Sequence, residues 1–167
     1  MIKKRIKLWR EIPKEVCGDI IEKYKEYQDD YYTLILFDNC EDMYRYYDRR
    51  WGKKEPCEHN YDGMAKYYDT SYYEDYECTK LQYRSKACGV IMLSLEDIGT
   101  VVVSHEVCHA VLFYLGYRLE EDCNKVFENE GYMAIDYNEL ACYMTGHLNK
   151  CIWNTYYLIK DNKSIDK

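Results

Sequence analysis

His105-Glu106-Val107-Cys108-His109 sets two imidazoles four residues apart, with a carboxylate beside the first. On an α-helix, residues at i and i+4 share a face, with Cβ atoms about 5–6 Å apart. Two imidazoles at that spacing reach one metal ion through Zn–N bonds of about 2.0–2.1 Å. Glu106 is turned about 100° round the helix from His105. That is too far round for the natural third ligand, yet it leans toward the same groove, as suits a general base acting on a zinc-bound water. The motif lies within the apolar stretch VVVSHEVCHAVLFYL, where two histidines and a glutamate are costly unless something satisfies them. The structural alternative is a pair of buried histidines held by hydrogen bonds to tyrosines or carboxylates.

A catalytic zinc site needs a third protein ligand and an open fourth position. Downstream stand Glu120, Glu121, Asp122, Glu128, Glu130, Asp136, Glu139 and His147. Residues 120–130 read as a loop that follows the helix too soon. Glu139 sits one turn into a later helix, and a ligand on a helix is held better than one on a loop. Glu139 is therefore the expected third ligand, and its alternative role is a capping box with Asp136. His147, two turns further along a similar face, is the runner-up. Tyr143, four residues after Glu139, is expected to donate its hydroxyl to an oxyanion near the metal; the alternative is a packed tyrosine with a satisfied hydroxyl. Asp136 could orient a ligand imidazole, although an N-cap suits it better. Cys108 reads as a small core residue, and a second metal site at Cys57 and His59 is a remote alternative.

With these residues in place, the chain resembles the zincin metalloproteases whose third ligand is a glutamate. More closely, it resembles small phage- and prophage-encoded zincin-like proteins. These carry H-E-x-x-H-A, an apolar turn with Gly, an acidic stretch, then E-x-x-A-Y-x-x-G. The matching pieces are His105 to Ala110, Gly116, Glu120 to Asp122, and Glu139 to Gly146 with Tyr143 inside. The chain departs at Cys142, where Ala is usual, and its connector of 29 residues between His109 and Glu139 is somewhat long. The resemblance covers roughly Thr33 to Leu148. It implies an α+β, zincin-like fold: a small mixed or antiparallel sheet packed on a metal-binding helix and a second ligand-bearing helix. It further implies that the strand before the metal helix, Gly89 to Leu93, edges the cleft and offers an open edge to an extended peptide.

The elements that must position these residues can be read along the chain. Ile2 to Trp9 suits a first strand, whose Lys3, Lys4, Arg5, Lys7 and (just beyond) Arg10 read as a solvated basic face. Pro13 can open a short helix to about Tyr24. Tyr31 to Phe37 (YYTLILF) predicts a buried strand. Asp38-Asn39 breaks it, and Glu41 to Arg50 predicts a helix. Trp51 to Asn60 is a polar loop, and 61–88 is a tyrosine-rich stretch expected to hold one or two irregular strands. Ser94 and Asp97 resemble a capping box that starts the metal helix. That helix is expected to end at Leu115, closed by Gly116. Glu120 to Gly131 is an acidic connector, and a last helix is expected from Tyr137 to Tyr157, capped by Asp136.

With 167 residues and no repeat or linker, a single domain over 1–167 is expected, with the metal site in 89–150. A net charge of -7 argues against nonspecific nucleic-acid binding, which needs Lys and Arg to displace counterions. No apolar run of about 18 residues is present, so no membrane span is expected. Nine cysteines without a C-x-x-C pair argue against a disulfide framework or an all-cysteine zinc site. With no apolar segment after the basic N-terminus, a reducing cytoplasm is expected, the host's if the chain is phage-encoded. The 21 tyrosines suggest rings along a surface or groove. Two functions remain open: a zinc metallopeptidase acting on a peptide or protein, and a binding or regulatory module on the same scaffold.

Overall fold

The structure is a computed structural model and describes residues 1–52, 63–67, 86–119 and 132–165. It is α+β. Among the described residues, β1 (Ile2–Lys7), β2 (Tyr31–Phe37), β3 (Gly63–Tyr67) and β4 (Ala87–Ser94) form one mixed sheet in the order β1-β2-β4-β3. The outer pairs are antiparallel and β2–β4 is parallel. The helices are α1 (Lys14–Lys23), α2 (Cys40–Trp51), α3 (Thr100–Phe113) and α4 (Tyr132–Ile165).

The central strands are apolar on both sides because both faces of the sheet are covered. Ile35 and Phe37 of β2, with Val90 and Met92 of β4, pack on Met43 and Tyr47 of α2. The alternate residues Tyr32, Leu34, Leu36, Ile91 and Leu93 join a larger core with residues of α1, α3 and α4. Pro13 stands at the N-cap of α1, and Asn39 caps α2 by accepting the Asp42 backbone N–H at 2.9 Å. The basic residues of β1 are exposed, with Lys3 lying over the Tyr46 ring and Arg5 over Tyr31.

The elements differ from the sequence expectation in several places: β1 stops at Lys7 rather than Trp9, α2 takes in Trp51, and the last helix runs on to Ile165 rather than Tyr157. Ser94 does not cap α3. It is the last residue of β4, paired with Phe37, and α3 begins at Thr100 behind Gly99. Gly116 does not close the helix, because it lies inside a π-helical turn over Tyr114–Arg118. That turn keeps Leu115 and Leu119 buried in the core. Asp136 does not cap the last helix, because α4 already starts at Tyr132. Finally, β4 is not an edge strand: β3 pairs along it from Gly63↔Leu93 to Tyr67↔Gly89 and takes the edge.

A buried polar chain ties the end of α3 to the N-terminal segment. Trp9 Nε1–H donates to the Tyr114 hydroxyl at 2.7 Å, which donates to Asp30 Oδ2 at 3.2 Å. Burial first, and then the Asp30 carboxylate, push the Tyr114 hydroxyl well above the usual tyrosine range, so it stays a donor. Nearby, the Tyr32 hydroxyl donates to the Ala110 carbonyl, one residue past His109, at 2.8 Å. Tyrosine therefore serves the interior here as well as the surface. Tyr114→Phe strands a buried indole N–H and removes one hydrogen bond from the buried Asp30. Urea denaturation should show a loss of about 1–3 kcal/mol. An unchanged midpoint would mean that the network contributes nothing to stability.

Among the described residues no helix is long and apolar enough to cross a membrane.

Candidate metal centre

α3 is apolar nearly all round, so its faces are set by packing rather than by polarity. Val103, Glu106, Val107, Ala110 and Val111 are buried, against the sheet and α4. Val101, Ser104, His105, Cys108 and His109 are exposed, Val101 at 83%. Cys108 is therefore not the small core residue its composition suggests. It shares the exposed stripe with both histidines.

On that stripe His105 Nε2 and His109 Nε2 stand 3.1 Å apart, their rings at 83° to each other. Phe113, one turn on, stacks on His109 at 21° and 5.6 Å. Two nitrogens each about 2.05 Å from a zinc ion in tetrahedral coordination lie about 3.3 Å from one another. At the observed separation the same bond length gives an N–Zn–N angle of about 100°, close to tetrahedral. The separation of the two nitrogens thus suits a shared zinc ion. A hydrogen bond between the two rings would also satisfy this distance, one ring then carrying its proton on Nε2.

Glu106, unlike the two histidines, is buried. Its side chain is 6% exposed, and it accepts a hydrogen bond from the Ala65 backbone N–H of β3. Burial raises its carboxyl above the ordinary glutamate range, against the opposing pull of the Ala65 N–H and the two histidines. Gly63 is what lets β3 come this close. A Cβ there would stand 2.8 Å from Leu93 Cδ2 and 3.0 Å from both Glu106 Cγ and Val102 Cγ1. Gly63→Ala is expected to cost about 1–3 kcal/mol through overpacking, read by denaturant unfolding. It should also displace Glu106, so any turnover should fall. Full stability and full turnover together would show that the approach is slack.

Glu139 is exposed on α4, the helix that packs along α3. Because α4 starts upstream of Asp136, the capping-box alternative for Glu139 does not apply. Among the described residues, no three His, Cys, Asp or Glu side chains converge as a metal-holding group. The structure thus brings the two histidines together without placing Glu139 as their partner. Tyr143 is half-buried and packs against the main core. His147 is not a candidate ligand, since its ring is buried and its Nε2 meets the Lys7 carbonyl at 2.9 Å. The acidic residues 120–130, the pair Cys57 and His59, and the Asp136 side chain lie outside the described residues.

Sequence reasoning missed β3 as the strand that engages Glu106. The Gly63-Met64-Ala65 run carried a signal, since a glycine inside a strand marks a close backbone approach.

The chain matches no protein-family model, no curated protein and no solved structure.

Proposed function

We propose that this chain is a zinc-dependent hydrolase of peptide bonds, built on a zincin-like fold. The observation that carries the reading is the pair of exposed imidazole nitrogens 3.1 Å apart, on the same helix as a buried carboxylate. His105 and His109 would hold the zinc, and Glu139 from α4 would supply the third ligand. When bound, zinc supplies Lewis acidity that lowers the pKa of a water toward about 7 and polarises a carbonyl. Glu106 takes the proton of the attacking water and returns it to the leaving amine. Tyr143, four residues after Glu139, is assigned to the developing oxyanion.

A second reading is favoured by one feature, the Ala65 N–H that already donates to one side of the Glu106 carboxylate. In that reading the scaffold binds a partner protein and the metal serves stability. The two separate on unfolded peptide libraries followed by mass spectrometry. The hydrolase cleaves with zinc, stops on chelation and resumes when zinc returns. Intact peptides under all three conditions would favour the binding module.

A further inference from the structure

Where α4 crosses the end of β1, it carries a second cluster of chemically capable side chains, independent of the zinc reading. His147 and Cys151 stand one turn apart on the helix. The imidazole is buried, with Nε2 2.9 Å from the Lys7 carbonyl oxygen. A carbonyl only accepts, so Nε2 carries the hydrogen and Nδ1 is the basic nitrogen. Nδ1 lies 3.5 Å from Glu11 Oε2 and 3.9 Å from the Cys151 Sγ, which is itself 3.7 Å from Nε2. Glu11 is held as a carboxylate by Lys150, whose Nζ reaches its two oxygens at 2.8 and 3.1 Å. The Cys151 thiol is half-buried, so a small reagent can reach it.

A thiol beside an imidazole whose Nδ1 also faces a carboxylate is an arrangement that stabilises an imidazolium next to a sulfur nucleophile. We propose that Cys151 is a base-activated thiol, modified by small disulfides in preference to the exposed Cys142. His147 Nδ1 takes the thiol proton, and Glu11 stabilises the resulting imidazolium. The Cys151 sulfur attacks one sulfur of the disulfide and forms a new S–S bond. The old S–S bond breaks, and its electron pair leaves on the second sulfur as a thiolate. Cys151 is oxidised to a mixed disulfide, and the small disulfide is the oxidant. The interaction of His147 with Cys151, followed by those with Lys7 and Glu11, raises the imidazole above its ordinary range despite its burial, which favours its role as proton acceptor.

The comparator sits on the same helix. Cys142 is exposed, so accessibility alone would make it the faster site. The full chain is treated at pH 7 with oxidised glutathione, and each cysteine is followed by peptide-resolved mass spectrometry. Cys151 is expected to react about fivefold faster than Cys142 or more. His147→Gln keeps a donor for the Lys7 carbonyl and removes the base. It should bring Cys151 to the Cys142 rate or below, with Cys142 itself unchanged. If that variant misfolds, Glu11→Gln at the exposed end of the cluster should still slow Cys151 by about twofold or more. A wild-type Cys151 no faster than Cys142 overturns the proposal, as does a lead that survives in folded His147→Gln.

Discussion

Glu106→Gln is expected to lower peptide turnover by about 10²- to 10⁴-fold, the usual worth of a positioned general base, with zinc content unchanged. The substitution is nearly isosteric, which matters at a site that is 6% exposed and wedged under β3. The glutamine oxygen can still accept the Ala65 N–H, so β3 keeps its contact. What is lost is the ability to take a proton. A structural metal site would be indifferent to this change, so the variant separates chemistry from scaffold. Turnover equal to wild type would reject Glu106 as the base, even if zinc were present.

The second large effect concerns the imidazole pair. Zinc at about 100 times its dissociation constant should stabilise the wild type by about 2.7 kcal/mol. For a chain of this size that corresponds to a melting-temperature rise of roughly 5–10 °C. His105→Ala and His109→Ala should each remove the rise. Losing an outer-shell partner already costs roughly 10–100-fold in metal affinity, and losing a ligand costs more. Both side chains are exposed, so neither truncation opens a cavity and the metal-free variants should melt like the metal-free wild type. An equal zinc-induced rise in both variants would place the metal elsewhere.

The parts of the fold that were legible in the sequence are those in which one local rule decides. Tyr31 to Phe37 is apolar at successive positions because α2 covers one face and the main core the other, and its expected bounds match the strand. Asn39 as a break and Pro13 as a helix opener also act locally. Where a tertiary partner decides, the reading went astray. Ser94 has the residue type of a cap, but strand pairing with Phe37 claims it first. Asp136 has the residue type of a cap as well, but four helical residues precede it in α4. Gly89 to Leu93 could not announce that Gly63 to Tyr67 would pair along its edge.

The site divides in the same way. The spacing of His105 and His109 on one helical face was readable, because 3.6 residues per turn requires it. The exposure of that face was not. α3 carries Val101 outward and Glu106 inward, so polarity does not mark its solvent side. The shift on Glu106 and its Ala65 donor arise from β3 lying over it, a contact between segments roughly forty residues apart in sequence, beyond the reach of motif or periodicity. The third ligand rests on the position of Glu139 in its helix and on the E-x-x-A-Y-like pattern that follows.

Metal analysis of purified wild type beside His105→Ala and Glu139→Ala goes most directly to the convergence of two helices on one ion. The expected result is about one zinc per chain in the wild type, lost from both variants while each remains folded. Zinc retained at full occupancy by Glu139→Ala, or never held by the wild type, would contradict the centre proposed for this chain.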